Sequence, residues 1–202
     1  MPNASRADDG RIARGVRTRE SVITAFLELV ADHARAPTAA DLARRADVSC
    51  RSIFTHFGDM DGVMSAAARR LLENLVDAHV PISQELPTEV RIEAFLDHRV
   101  PTLEITAPFC RAVMGQGRPS EALGRLLSDA AKLTRASTSS VFETEIKGVA
   151  PDTRADLEEA IIAVTTWLHW EALRGEQLLS VAQATAVVRL ELRGLLRQAA
   201  TW

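Results

Sequence analysis

Residues 37–57 are predicted to form two short helices joined by a tight turn, and this feature most restricts what the chain can fold into. The segment reads PTAADLARRADVSCRSIFTHF. Thr38 followed by Asp41 has the form of a capping box, which begins the first helix. Asp47 occupies the turn, where a short polar side chain tolerates left-handed backbone angles. Ser49 is then a favourable N-cap for the second helix.

The second helix of this pair has only a small apolar face, formed by Ile53 and Phe57. Its remaining side chains are mostly short or cationic and are expected to face solvent: Cys50, Arg51, Ser52 and Thr55. A short helix displayed in this way suits the major groove of DNA, where its side chains reach base edges. The alternative is a helical hairpin without a DNA-binding role, in an all-helical scaffold or enzyme.

The residues of this segment resemble the DNA-binding motif of the tetracycline-repressor (TetR) family of bacterial regulators. The matching residues are Leu42, Ala43, Ala46, Val48, Ser49, Ser52, Ile53, Phe54, His56, Phe57 and Asp59. The resemblance covers residues 15 to 65. It implies an all-α protein with an N-terminal three-helix helix-turn-helix unit and a C-terminal helical bundle that dimerises. It also implies a transcriptional regulator, of the repressor type, bound to double-stranded DNA at a palindromic operator.

Three residues depart from the pattern of that family. Asp47 stands where the turn usually has Gly, and Met60 stands where the next helix often begins with Lys. Phe54 replaces a Tyr whose hydroxyl reaches a phosphate. The last two changes remove contacts with the DNA backbone, whereas the surface that reads bases is kept.

The candidate DNA contacts divide into two classes. Base-edge contacts are expected from Arg51, Ser52 and Thr55, since arginine can bond guanine at two positions. Contacts with phosphates fix the register on the duplex rather than the sequence read, and the candidates are Arg17, Arg19, Thr38, Arg44, Ser49, Phe54 and His56. Arg17 and Arg19 have a second interpretation as a solvated face. Cys50 is either a small neutral contact or a thiol whose oxidation alters the displayed surface.

Composition and charge favour a soluble, cytoplasmic protein. Of 202 residues, 47% are hydrophobic, and the net charge is −3. Residues 1–57 nevertheless carry nine arginines against seven carboxylates, the sign that an N-terminal DNA-binding unit needs. The two cysteines, Cys50 and Cys110, fit a reducing compartment better than a disulfide scaffold. No apolar run has the length of a membrane span, and no signal-peptide core is found at the N-terminus.

Along the chain, residues 1–13 are predicted to be a flexible arm and residues 14–58 the DNA-binding domain. Residues 59–80 form a connecting helix with Asp59 as its N-cap, and residues 81–202 an effector-binding and dimerisation domain. Within that last domain, Pro101 is expected to kink or end a helix and Pro108 to open a short segment. A further helix is predicted to run continuously to about Lys147.

The last two helices, at residues 152–174 and 181–199, carry wide apolar faces that need two packing partners. Ser180 and Gln183 form a second capping box at the start of the final helix. The wide faces fit either a central position within one chain or a four-helix interface between two chains. The family resemblance favours the homodimer.

A pocket for a hydrophobic or aromatic small-molecule effector is expected where the helices are interrupted. The candidate lining residues are Phe95, His98, Leu103, Phe109, Met114, Phe142, Trp167 and Trp170. The alternative is that these residues fill a core. Neither the histidines nor the carboxylates show metal-ligand or catalytic spacing, so we expect no metal, no cofactor and no enzymatic activity. The sequence does not identify the operator, the regulated genes or the effector.

Overall fold

The computed structural model describes the backbone of residues 3–33, 35–77 and 79–199, and the side chains of residues 12–33, 35–77 and 79–197. In that part of the chain every regular element is a helix, and there is no strand. The helices are α1 (Asn3–His33), α2 (Ala39–Ala46), α3 (Cys50–Phe57), α4 (Met60–Asp77), α5 (Thr88–Met114), α6 (Glu121–Val141), α7 (Glu143–Gly148), α8 (Arg154–Val164), α9 (Trp167–Glu171) and α10 (Val181–Ala199). Helix α9 continues as a π-helical turn at Ala172–Glu176.

The chain divides into two compact units. The first unit comprises the chain up to Asn74 together with Pro108–Ser128, and the second comprises Leu75–Ala107 together with the chain from Asp129 onward. The predicted boundary at residue 80 does not follow this division. The reason is that Phe109, Ala112 and Leu123 pack into the core of the first unit, although they follow the predicted boundary in sequence.

The core of the first unit is built from α1 to α4 and from the parts of α5 and α6 that belong to this unit. Phe26 of α1 is fully buried and meets the ring of Phe109 edge to face, with 6.3 Å between the ring centroids. Leu42 of α2 and Ile53 of α3 are also fully buried in this core. These contacts fix α2 and α3 on α1 through the apolar faces that the sequence predicts.

The predicted helix starts in both units are confirmed by their hydrogen bonds. Thr38 and Asp41 exchange the two bonds of a capping box, and Gly62 N–H donates to Asp59 Oδ1 at 2.8 Å. Ser180 and Gln183 form the second predicted capping box.

Helix α1 begins earlier than predicted. The backbone is helical from Asn3, so residues 3–13 are helical where the sequence predicts an irregular arm, and residues 1 and 2 lie outside the described residues. Ala and Arg, which are among the best helix formers, are frequent in this segment. They continue the helix through Gly10, which costs only about 1 kcal/mol relative to Ala.

Helix α5 is continuous through both of its prolines, so the predicted interruptions at Pro101 and Pro108 are wrong. A proline inside a helix costs about 3 kcal/mol, because it removes a hydrogen bond and crowds the preceding turn. Burial on both sides offsets this cost. Ile92 and Leu103 are buried in the second unit, and Phe109 is buried in the first.

Two predicted long helices of the second unit are instead broken. Helix α6 ends at Val141, and α7 begins after Phe142. The helix predicted for residues 152–174 is interrupted at Thr165–Thr166. The buried Thr165 hydroxyl bonds back to the carbonyls of Ile161 and Ile162, and Thr166 becomes the N-cap of α9. Local competition by threonine side chains explains this break.

Several arginines bind backbone carbonyls at the ends of helices other than their own. Arg91 of α5 donates to the carbonyl of Val141, the last residue of α6, at 2.6 Å. Arg99 of α5 donates twice to the Thr165 carbonyl at the end of α8. Because the last carbonyls of a helix lack partners within it, these cations complete the helix ends.

Arg91 also forms the most buried ion pair among the described residues, with Glu145; their side chains are 3% and 12% exposed. Burial raises the pKa of Glu145, but hydrogen bonds from Arg91 and Thr88 outweigh it and hold the pKa below its ordinary value. No described helix is long and apolar enough to cross a membrane.

Candidate nucleic-acid interface

The turn between α2 and α3 has the geometry that the sequence predicts. Asp47 ends α2 with φ 54° and ψ 49°, and Val48 N–H donates to the Ala43 carbonyl at 3.0 Å. Ser49 begins α3 by accepting from Ser52 N–H at 3.1 Å. The direction of α3 relative to α2 is therefore set by hydrogen bonds local to the turn.

Helix α3 buries one side and displays the other. Ile53 is fully buried, whereas Arg51, Phe54 and Thr55 are exposed. The Thr55 hydroxyl donates to the carbonyl of Arg51 within the same helix, at 2.8 Å. Ser52 is only half-buried. The three predicted base-reading residues, Arg51, Ser52 and Thr55, thus lie on one short helix with part or all of each side chain accessible.

Arg19 holds the end of this helix. Its Nη1 donates to the His56 carbonyl at 2.7 Å, and its guanidinium lies 4.5 Å from the centroid of the Phe57 ring. A cation is favourable at the C-terminus of a helix, where the unpaired carbonyls are partly negative. Arg19 therefore links α1 to α3. Arg17, the other predicted contact on α1, is exposed.

The remaining predicted phosphate contacts lie at the helix ends and on exposed surface. Thr38 and Ser49 are exposed N-caps, and their side-chain oxygens accept backbone N–H groups. Arg44 is 76% exposed and pairs with Asp41. The Thr38 hydrogen bonds and the Arg44 contact hold the pKa of Asp41 below its ordinary value. His56 is half-buried, and Cys50 donates from Sγ to the Ala39 carbonyl at 3.6 Å.

Helix α4 approaches the end of α3 very closely at Gly62. A Cβ placed on Gly62 would lie 2.0 Å from the Phe57 carbonyl oxygen. Only the absence of a side chain permits this approach. Sequence reasoning did not single out Gly62, because a glycine inside a helix gives no sign of its neighbours.

The eight predicted effector residues are not brought into one group. Phe95, Leu103, Phe142 and Trp170 are buried in the core of the second unit, while Phe109 is buried in the core of the first. His98 and Met114 are exposed, and Trp167 is half-buried. Phe95 and Phe142 meet edge to face, with 5.3 Å between their ring centroids. The buried members of this set therefore act as core residues.

A cavity of about 120 Å³ lies in the first unit, lined by Leu29, His33, Arg35, Pro37, Asp41 and Arg44. It is smaller than the roughly 300 Å³ at which pockets for drug-sized ligands begin. It is therefore too small to hold an effector of the expected kind.

Arg99 was missed by sequence reasoning, although a signal was present. Residues Phe95, Arg99, Leu103 and Ala107 follow one another at intervals of four and so share one face of α5. An arginine on an otherwise apolar helix face needs a partner or a function.

Comparisons with known proteins place this fold. No family model and no curated protein matches the sequence. A transcriptional regulator from Rhodococcus sp. Rha1 has a similar structure, with TM-score 0.67, 16% identity, and coverage of 89% of this chain and 96% of that chain. A protein from Mesorhizobium loti MAFF303099, assigned to the TetR family of transcriptional regulators, has TM-score 0.56 and 12% identity, and covers 92% and 96%. The chain has the all-helical fold of the TetR-type transcriptional regulators.

Proposed function

We propose that this protein is a DNA-binding transcriptional regulator in which α3 reads the major groove. The observation that carries the proposal is the displayed face of α3, where Arg51, Phe54 and Thr55 are exposed on a helix whose Ile53 is fully buried. The capped turn and the Arg19 contact hold that face in one orientation. A rigid, exposed and partly cationic helix suits base reading in the groove.

The proposed regulator acts as a homodimer on a palindromic operator. Support comes from exposed apolar residues on the last helices: Leu168 of α9 is 65% exposed and Leu190 of α10 is 71% exposed. Ala182, Ala186 and Gly194 lie on the same exposed face of α10 as Leu190, at intervals of four. Such a face is expected to pair with its copy across a two-fold axis.

The proposed mode of action is repression relieved by a small-molecule effector. An effector releases DNA only if it binds more tightly to the state with the lower affinity for the operator. Residues 81–202 are proposed to contain the effector site. No enzymatic activity is proposed.

The experiment that tests the proposal is selection of duplexes from a random pool by the full chain, followed by gel-shift titrations at two salt concentrations. We expect an enriched dyad sequence and an affinity that falls steeply as salt rises. Arg51→Ala should cost about 1–3 kcal/mol on the selected site and relax the preference at one base pair. Arg125→Ala removes another exposed cation, one that contacts Glu121 on α6, and serves as the matched control.

The outcome decides between the proposal and the alternative of a helical protein without a DNA-binding role. A chain that enriches no sequence has no operator, and the helical hairpin would then be structural. An Arg51→Ala variant with the affinity and site preference of the parent would remove Arg51 from the reading surface.

A further inference from the structure

The second unit contains an arginine whose charge is matched by no ion pair. Arg99 lies on the apolar face of α5 between Phe95 and Leu103, both buried. Its Nε and Nη2 donate to the Thr165 carbonyl at 2.9 and 2.7 Å. Within the described part of the chain no carboxylate pairs with it. Of the five N–H donors of a guanidinium, these two bonds use two.

Arg99 is half-buried, and no ionised partner offsets the partial loss of water around its guanidinium. Burial lowers the pKa of Arg99 from its ordinary value of 12.5 to about 10, and no neighbouring charge opposes that shift. A carbonyl at a helix end supplies only a partial negative charge. Elsewhere in this unit, Arg91 and Arg174 bind carbonyls and also meet carboxylates, Glu145 and Glu104. Among the described contacts, Arg99 binds only a carbonyl, as does Arg154 with the carbonyls of Val149 and Lys147.

A second donor without a partner lies at the same helix junction. Trp167 begins α9, two residues after Thr165, and packs against the core of the second unit. Its indole nitrogen is buried and has no hydrogen-bond acceptor among the described residues. The neighbouring Trp170 differs, because its indole donates to Glu104 at 2.7 Å. A buried N–H group without an acceptor is rare and calls for an explanation.

We propose that the junction of α8 and α9 with α5 is a binding site for a small apolar carboxylic acid, whose carboxylate pairs with Arg99 and accepts from the Trp167 indole. A planar carboxylate matches the fork of a guanidinium and supplies the full charge that the Thr165 carbonyl lacks. Val100 and Val164, which neighbour Arg99 and Thr165 in sequence, are half-buried and apolar, which suits an aliphatic or aromatic body.

The inference names the chemical class of the effector, and in that respect it rests on the proposed function. It narrows the hydrophobic or aromatic effector expected from the sequence to one that carries a carboxylate. Of the eight residues expected to line the effector pocket it keeps Trp167, and it adds Arg99, whereas Phe95 and Phe142 are packed against each other.

The test uses isothermal titration calorimetry of the full chain with two acids and their neutral amides: octanoate with octanamide, and benzoate with benzamide. Each pair has the same body and differs in charge. We expect at least one acid to bind about tenfold or more tightly than its amide, because a charge-assisted hydrogen bond is lost in the amide. Equal affinities within both pairs, or no binding of any of the four compounds at millimolar concentration, overturn the proposal.

Variants then assign the site. Arg99→Gln keeps a donor for the Thr165 carbonyl but removes the charge, and should weaken binding of the preferred acid about tenfold or more. Trp167→Phe removes the N–H group together with part of the ring system, and should weaken binding of that acid about three- to tenfold. Arg154→Gln is the matched control, since Arg154 donates from Nε and Nη2 to the carbonyls of Val149 and Lys147 in the same manner.

The controls separate the possible failures. If Arg99→Gln does not fold, as judged by circular dichroism, the comparison of acids with amides on the wild-type chain still decides the proposal, and Arg99→Lys tests whether charge alone suffices. An Arg99→Gln chain that folds and binds the acid as the wild type does overturns it. A chain that binds its operator but no acid overturns only this site. A chain that binds the acid but enriches no duplex overturns the proposed function and leaves the site.

Discussion

Replacing Gly62 by Ala tests how closely α4 is placed against the reading helix α3. In most helix interiors this change stabilises the fold by about 1 kcal/mol, because Gly is a poor helix former. At Gly62 the added Cβ would lie 2.0 Å from the Phe57 carbonyl oxygen, a distance that real Cβ atoms do not show. Ordinary contact begins at 3.4 Å, so the two segments must separate by about 1.4 Å, and overpacking of this kind costs about 1–3 kcal/mol. The clash therefore outweighs the gain in helix propensity, and we expect a net loss of stability.

Urea denaturation followed by circular dichroism measures this change, with Gly124→Ala on α6 as the control. Gly124 lies inside a helix, and a Cβ added there has no neighbour within 4 Å. The control should raise the free energy of unfolding by about 0.5–1 kcal/mol. A Gly62→Ala protein as stable as this control would refute the close approach of α4 to α3. If the approach positions α3 as inferred, operator affinity should fall in the Gly62 variant and remain unchanged in the Gly124 variant.

Three further predictions follow from contacts in the two units. Arg19→Ala should lower the free energy of unfolding by about 1 kcal/mol, because the contacts with His56 and Phe57 are lost. Arg17→Ala should leave stability unchanged and reduce the salt dependence of operator binding by about one phosphate contact. A loss of stability in the Arg17 variant and a loss of salt dependence in the Arg19 variant would contradict this. The pKa of Glu145 is held below its ordinary value, so the ionised carboxylate stabilises the fold above the unfolded-state pKa, and this stabilisation is lost as pH falls through the folded-state pKa. Glu145→Gln should therefore flatten the decline of the melting temperature between about pH 5 and pH 3. An unchanged decline would exclude the ion pair with Arg91 as its cause. Leu190→Glu on the exposed face of α10 should give a monomer in light scattering. The control Leu178→Glu should stay dimeric, since Leu178 is 81% exposed and lies in the segment before α10. A dimeric Leu190→Glu protein would place the interface elsewhere.

The parts of the fold that were predictable from sequence are those set by neighbouring residues. Thr38 with Asp41, Ser180 with Gln183 and the left-handed Asp47 each depend on groups no more than four residues apart. The displayed face of α3 was predictable for the same reason, since its apolar residues repeat at helical spacing. The candidate reading residues could therefore be named from the amino-acid sequence alone.

The parts that were not predictable depend on contacts distant in sequence. Pro101 favours a helix end locally, but the burial of α5 on both sides of it decides otherwise. Phe109 and Phe95 share one helix and one pattern, yet they belong to different cores. No periodicity distinguishes them, so the sequence could not assign each of them to its core. The break at Thr165 depends on a hydroxyl that competes for its own helix carbonyls, which threonine does at some positions and not at others.

The arginines at helix ends have a consequence for the way the fold opens. The partner of the last turn of α6 is 50 residues away in sequence, that of α8 is 66 residues away, and that of α3 is 37 residues away. The ends of isolated helices normally fray, and their amides then exchange with solvent without any wider unfolding. Here the final turn of each of these helices is held by a cation from another helix, so it is released only when that helix separates. The C-terminal amides of α3, α6 and α8 should accordingly exchange hydrogen for deuterium through larger, cooperative openings, and α5, which supplies two of the three arginines, should link its opening to theirs.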